Sequence, residues 1–135
     1  MSNSSALHFV ATPNAPAPGG HYSQAVIHGG LVYVSGQLPV VVGTPHDNAA
    51  PFEVQARRAL GNLLAIVTAA GSSPAGLLKV SAYIVGVEHW PAFNAVYAQM
   101  LGAAKPARSV ITVPELHYGY LIEIDAVAAQ DAPPR

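Results

Sequence analysis

Two apolar segments near the C-terminal end, residues 105–113 and 121–127, alternate like β-strands, yet each carries a charged side chain. Such charges stand out because only 10% of the 135 residues are Asp, Glu, Lys or Arg, against about 25% in an average soluble domain. A charge within an apolar strand needs either a partner or a function. Arg108 in the first segment and Glu123 in the second are therefore the leading candidates for chemistry.

The two-residue period of a strand predicts which side chains share a face. Arg108 and Val110 lie on one face of the first segment, and Glu123 lies opposite Ile122 and Ile124 on the second. Because the two isoleucines suit a core, elimination predicts that Arg108 and Glu123 both point toward a subunit interface. Two interpretations stay open: the arginine grips the carboxylate of a ligand, or it forms a structural ion pair with Glu123.

The rest of the chain predicts further strands and two amphipathic helices. The Gly29-Gly30 pair is typical of a two-residue hairpin turn, and Gly71 is typical of a helix end. The order β-β-β-α-β-α-β-β predicts an α+β fold, with one sheet and both helices on one face. The length predicts one domain over residues 1–135, with flexible ends at 1–10 and 129–135. Strands are predicted at 7–10, 25–28, 31–35, 79–87, 105–113 and 121–127, and helices at 52–70 and 91–101.

The composition predicts self-association. Hydrophobic residues make up 51% of the chain, and helices on one sheet face leave the other face bare. A small domain with so few charges usually buries its remaining apolar surface against a partner, most often another copy of itself. The alternative is a chain that is merely rich in alanine, which is only weakly apolar.

Composition also excludes several function classes. The absence of cysteine rules out disulfides, thiol catalysis and a cysteine-based zinc site. A formal net charge of −1, without a Lys/Arg cluster, argues against a nucleic-acid partner. No run approaches the roughly 20 apolar residues that a membrane span needs, and the polar residues 1–5 do not resemble a signal peptide. We therefore expect a cytoplasmic protein without a membrane partner.

A few other residues are weaker candidates for a site. None of the six histidines forms an i,i+4 pair, so no metal site is predicted, although His21 and His117 lie in loops near the strands of interest. Gly36 follows Ser35 at a strand end and permits close approach of the backbone to a ligand. Tyr22 either leans over a pocket or packs as a core ring.

Six blocks, taken together, resemble the RidA/YjgF family, also known as L-PSP endoribonuclease-like proteins. The resemblance runs from about residue 11 to residue 128, with the blocks in the family's order and spacing. They are Gly-His-Tyr-Ser-Gln-Ala at 20–25, Val-Ser-Gly-Gln-Leu-Pro at 34–39, Ala-Ala-Gly-Ser-Ser at 69–73, Phe-Asn-Ala-Val-Tyr at 93–97, Lys-Pro-Ala-Arg-Ser at 105–109 and Ile-Glu-Ile-Asp-Ala at 122–126.

The resemblance implies a chorismate-mutase-like fold with one mixed sheet, assembled as a homotrimer with three clefts between subunits. Members that keep the arginine are enamine/imine deaminases, which hydrolyse 2-aminoacrylate and related imino acids to 2-keto acids and ammonia without a cofactor. The resemblance assigns carboxylate binding to Arg108 and positioning or activation of water to Glu123. It assigns substrate binding to Tyr22, Ser35, Gly36, Asn94 and Val110.

Two departures from the family pattern concern the pocket. His21 stands where many members have proline, and residues 115–120, Glu-Leu-His-Tyr-Gly-Tyr, are more aromatic than the usual Leu-Pro-Lys-Asp type. His21, His117, Tyr118 and Tyr120 are thus candidates to shape the pocket, and substrate size is left open. Two alternative functions are a non-catalytic trimer that binds small carboxylates and, less favoured by the net charge, an endoribonuclease.

Overall fold

The chain forms six β-strands and two α-helices in the predicted order, in a computed structural model that describes residues 6–131. Gly29 and Gly30 connect the second and third strands with φ values of 59° and 80°, as a two-residue hairpin turn of this type requires. The elements are β1 (His8–Val10), β2 (Ala25–His28), β3 (Leu31–Gln37), α1 (Phe52–Ala69), β4 (Leu77–Ile84), α2 (Trp90–Leu101), β5 (Ala107–Thr112) and β6 (Ile122–Ala129).

The strands form one mixed sheet in the order β1-β2-β3-β6-β4-β5. All neighbouring pairs are antiparallel except β4 and β5, which are parallel because α2 returns the chain to the same end of the sheet. The last strand then enters the middle, between β3 and β4. The prediction that the strands of Arg108 and Glu123 are neighbours is therefore wrong, since β4 separates them.

Both helices cover the same face of the sheet, as predicted. The apolar stripe of α1 packs there, and Leu60 and Leu63 are almost completely buried. Fully burying one such leucine stabilises the fold by roughly 1.5–3 kcal/mol. The sheet contributes alternate residues of its four central and inner strands to this core, namely Val32, Val34, Val80, Ala82, Ile84, Ile122, Ile124, Ala126 and Ala128.

The end of α1 and the end of β6 are tied together. Gly71 has a φ of 85°, and the N–H of Ser72 donates to the carbonyl of Val67 at 3.0 Å, which closes the helix as predicted. The N–H groups of Gln130 and Asp131 donate to the carbonyls of residues 30 and 71. The described part of the predicted C-terminal flexible end is thus hydrogen-bonded, and residues 8–10 of the N-terminal one form β1. Residues 1–5 and 132–135 lie outside the described residues.

The opposite face of the sheet carries no helix, so it remains exposed in the single chain. Phe9, Tyr33 and Ile111 on this face are between two-fifths and two-thirds exposed. Between them lies a polar pair, in which the hydroxyl of Tyr83 donates to Asp125 at 3.1 Å. Over residues 6–131, neither helix is both long and apolar enough to cross a membrane.

Candidate active site

A cavity of about 670 Å³ opens beside the start of β6, between the loop before β2 and the segment after β3. Three of the residues assigned by resemblance line it together: Tyr22, Gly36 and Glu123. The turn that precedes β6 closes another side with His117 and Tyr118. The remaining walls are mostly small and apolar, and they include Pro16, Ala17, Leu38, Val40, Val41 and Val42.

Glu123 is the acid of this cavity. Burial raises the pKa of its carboxyl, the neighbouring Asp125 carboxylate raises it further, and His117 lowers it. Its side chain lies directly against the backbone of Gly36, where an added Cβ would come within 2.6 Å of the Glu123 Oε2. Any other residue at position 36 would therefore displace the carboxylate. A carboxylate with a raised pKa is suited to accept and return a proton.

The neighbouring loop is held by side chains that do not reach into the cavity. The hydroxyl of Ser35 donates to the carbonyl of Ser23 at 2.6 Å, so it serves the loop. Gln24 is buried and bonds both ways with the backbone of Thr12, at 2.7 and 3.0 Å. Tyr22 is about half exposed, and its hydroxyl accepts a hydrogen bond from the Gly19 N–H. Gln24 lies in a family-like block, but its position in sequence does not reveal this bracing role.

Arg108 lies at the other end of the molecule's polar chemistry, on the edge strand β5. Its Nη1 donates to Oδ1 of Asn94 on α2 at 2.9 Å. The guanidinium carbon lies 5.0 Å from the centre of the Tyr97 ring and 5.6 Å from that of Phe93, within cation–π range. Val110, two residues along β5, lies on the same side of the strand and is half-buried. The resemblance-assigned Arg108, Asn94 and Val110 are thus grouped together.

Arg108 and Glu123 point to opposite sides of the sheet, so the prediction of a shared face is wrong. Arg108 pairs in register with Val80, whose side chain is in the helix-covered core, whereas Glu123 pairs with Tyr83 on the bare face. Elimination failed because β5 is an edge strand. Its helix side is not fully covered, so Arg108 remains exposed there.

The interpretation of a structural Arg108–Glu123 ion pair is also wrong for the single chain. The ion pair found over residues 6–131 joins Arg58 and Asp47 at 3.4 Å. Asn94, an uncharged amide, is the side-chain hydrogen-bond partner of Arg108 in this part of the chain. The guanidinium therefore keeps donors available for an external carboxylate.

The sequence did not reveal one side of the cavity, which we call the aromatic wall: His46, His117 and Tyr118. The rings of His46 and Tyr118 stack with centroids 3.9 Å apart, although 72 positions separate them in the chain. Tyr118 has a φ of 61°, a left-handed conformation that costs a bulky residue on the order of 1–3 kcal/mol. His21 does not line the cavity, and Tyr120 is buried behind the wall. Only the aromatic composition of 115–120 hinted at it.

The chemistry available to these groups is anion binding and proton transfer. Within the described range, no cluster of three or more His, Asp or Glu side chains is arranged to hold a metal ion. Glu123 can take a proton from water, and Arg108 can bind a carboxylate through two parallel hydrogen bonds. One chain supplies these two functions at separate places.

Comparisons with known proteins agree with the sequence blocks. A family model described as Endoribonuclease L-PSP matches residues 12–130. A RutC family protein of Pyrococcus horikoshii is 37% identical over 122 residues, which cover 90% of this chain and 97% of the relative. The 2-iminobutanoate/2-iminopropanoate deaminase of Escherichia coli is 36% identical over 126 residues, covering 90% of this chain and 96% of that enzyme. The crystal structure of E. coli TdcF with bound serine matches with a TM-score of 0.87 and 34% identity, covering 92% of this chain and 99% of that chain.

Proposed function

Because the chain belongs to the endoribonuclease L-PSP family, as the resemblance to RidA/YjgF proteins predicted, we propose that it is a cofactor-independent deaminase of 2-imino acids. Water and the imine yield a 2-keto acid and ammonia. The reaction takes place in a cleft between two subunits of a homotrimer, where Arg108 of one subunit meets Glu123 of the partner subunit. The relative of known name that is a 2-iminobutanoate/2-iminopropanoate deaminase supports this assignment.

The observation that carries the proposal is the division of the site within one chain. Arg108 is exposed at the sheet edge and hydrogen-bonded to an amide, while Glu123 lines a cavity on the far side of β4. Each half lacks the charge that the other holds. A rotation axis that brings the edge strand of one subunit to the cavity of the next would complete the site, and closed rotational symmetry is the usual arrangement of homo-oligomers.

The reaction needs one anchor and one base. Arg108 binds the carboxylate of the imino acid through charge-assisted hydrogen bonds, worth roughly 1.5–3 kcal/mol. The Glu123 carboxylate accepts a proton from a water molecule as the water oxygen bonds to the imine carbon. Glu123 returns that proton to the nitrogen, which gives a carbinolamine. The hydroxyl proton then moves to nitrogen through Glu123, the C–N bond breaks, ammonia leaves and the carbonyl of the 2-keto acid forms.

Two rival functions differ in what they predict. A trimer that only binds carboxylates would use Arg108 in the same way, and the relative solved with bound serine shows an amino acid held by a family member. Such a trimer would not accelerate imine loss. An endoribonuclease is suggested by the description of the family model, but a net charge of −1 and six basic residues offer little attraction for RNA.

The proposal is tested with an imine generated in situ by an amino-acid oxidase. Semicarbazide traps the unhydrolysed imine, so a deaminase lowers the initial rate of semicarbazone formation. We expect the wild-type chain to lower it, and Arg108→Ala to reduce kcat/KM about 10- to 150-fold, as loss of a charge-assisted pair predicts.

Lys105→Ala is the matched control, because it removes a positive charge three residues away at an exposed site. It is expected to retain wild-type activity. Undiminished turnover by Arg108→Ala would contradict the proposed anchor. Carboxylate binding without any loss of semicarbazone would favour the binding-only trimer.

A further inference from the structure

The cavity beside Glu123 is much larger than a three-carbon imino acid requires. Its volume of about 670 Å³ lies within the roughly 300–1,000 Å³ typical of sites for drug-sized ligands. A substrate whose imine carbon lies at Glu123 therefore leaves most of this space for its side chain. The residues around that space decide which side chains fit.

The side-chain space is uncharged apart from the catalytic carboxylate. Among the described residues that line the cavity there is no lysine, arginine or aspartate, and Glu123 is the single glutamate. The segment after β3 contributes Leu38, Val41 and Val42, and the aromatic wall stands across from the loop that carries Tyr22. Such a lining favours a neutral, apolar side chain over a charged one.

The aromatic wall is held in place by several independent contacts. Tyr118 keeps its left-handed backbone because its carbonyl accepts a hydrogen bond from Asn48 Nδ2 at 2.8 Å and its ring stacks on His46. Gly119 follows with a φ of 73°, and an added Cβ there would come within 2.7 Å of Asn48 Nδ2. A strained residue that the surroundings hold this firmly is a candidate for function.

A buried ring supports the wall from behind. Tyr120 is 1% exposed, and its hydroxyl accepts the N–H of Asp47 at 3.3 Å, which leaves its own proton for His46 Nδ1 at 3.0 Å. His46 is thereby fixed against Tyr118. Yet Tyr118 itself remains 51% exposed, so the strained backbone presents an aromatic ring to the cavity instead of burying it.

We propose that the aromatic wall makes this protein selective for 2-imino acids with an aromatic side chain, which stacks against Tyr118. The proposal rests on the deaminase function above and names its substrate class. Aromatic pairs contribute beyond their buried area when rings are offset or edge-on, and Tyr118 is already oriented by His46 on one face. A methyl side chain would leave the ring unused.

One oxidase supplies both test substrates. D-amino-acid oxidase converts D-phenylalanine and D-alanine to the corresponding achiral imino acids with reduction of oxygen to hydrogen peroxide, which catalase removes. We expect the wild-type chain to show a higher kcat/KM for the phenylalanine-derived imine than for the alanine-derived one. Tyr118→Gly should lower the ratio of the two values about tenfold, since it removes the ring.

The variants separate the ring from the backbone. Glycine adopts a φ of 61° without strain, so Tyr118→Gly is expected to fold at least as stably as wild type in thermal unfolding. Tyr118→Phe keeps the ring and should keep the wild-type ratio. An unchanged ratio in Tyr118→Gly, or a wild-type preference for the alanine-derived imine, overturns the selectivity while the deaminase proposal stands.

Loss of the deaminase proposal would be recognised separately. If neither imine is turned over, calorimetric binding of phenylpyruvate and pyruvate to the wild type and Tyr118→Gly decides the selectivity. Tighter binding of phenylpyruvate that depends on the ring supports the aromatic wall as a recognition surface. Equal binding of the two keto acids, or a preference that survives the loss of the ring, overturns it.

Discussion

The fold prepares the two charged groups of the proposed site in different ways. The Arg108 guanidinium lies exposed at a sheet edge, where two aromatic rings and the Asn94 amide hold it. The Glu123 carboxyl is half-buried in a cavity, pressed against the backbone of Gly36, and its pKa is raised mainly by burial.

This difference follows from the tasks of the two groups. A guanidinium stays protonated in any environment, so it needs orientation and not desolvation to bind a carboxylate. A carboxylate that must take a proton from water near neutral pH needs a raised pKa, which burial provides. An exposed strand edge suits the first task and a cavity suits the second, and one chain does not offer both at a single place.

The largest expected effect removes the base. Glu123→Gln keeps the shape of the side chain but cannot accept a proton, so kcat/KM for imine hydrolysis should fall by about 10²–10⁴-fold. Initial rates in the semicarbazide assay measure the loss.

Asp125→Asn is the matched control for this variant. Asp125 lies two residues along the same strand and face, and burial raises its pKa as well, but its carboxylate pairs with Tyr83 outside the cavity. It should retain most of the activity. If Glu123→Gln is as active as Asp125→Asn, Glu123 is not the base.

The next largest effect is recovery of activity by mixing two inactive chains. In a cyclic oligomer assembled at random from Arg108→Ala and Glu123→Gln subunits, roughly one interface in four joins an intact arginine to an intact glutamate. About a quarter of the wild-type activity should therefore return. The measurement is the turnover of co-expressed chains that carry different purification tags.

Oligomers of each variant alone serve as the baseline for the mixing experiment. Mass spectrometry establishes that both chains are present in one assembly. Mixed assemblies without recovered activity would show that Arg108 and Glu123 do not meet across an interface.

The smallest effect is a change with pH. Because the pKa of Glu123 is raised above its ordinary value of 4.5, kcat/KM should fall as pH decreases through that raised pKa, about tenfold per pH unit below it. The Glu123→Gln variant should lack this decline.

Stability should change in the opposite direction. A raised pKa means that the folded chain binds the proton more tightly than the unfolded chain, so ionisation of Glu123 lowers stability as pH rises through the raised value. Glu123→Gln is therefore expected to unfold at a higher temperature than wild type at neutral pH and at an equal one in acid. A lower unfolding temperature at neutral pH would contradict the desolvated carboxylate.

Much of the fold follows from local patterns. The period-two alternation of residues 79–84 places Val80 and Ile84 in the core, and the i,i+4 spacing along 56–67 forms the buried stripe of α1. Glycines at 29–30 and 71 have the positive φ values that the hairpin and the helix end require. These features depend on residues close together in the chain, so the sequence specifies them directly.

The site was predictable in its residues but not in its arrangement. Family-like blocks named Arg108 and Glu123, yet alternation alone placed both on one face, because it cannot show that β6 enters between β3 and β4. The contact of His46 with Tyr118 was equally out of reach, since it joins a polar loop to a turn 72 positions away.

The sequence by itself determined the strands and helices, the faces of each strand, and the blocks that mark the family. Periodicity and turn residues act over a few positions, which is why these features can be deduced from the chain alone. Only the tertiary structure decided that β5 is an edge, that Arg108 and Glu123 lie on opposite sides, and that Tyr118 is held against His46. Strand order and long-range packing depend on which distant surfaces bury each other, and that choice belongs to the whole chain.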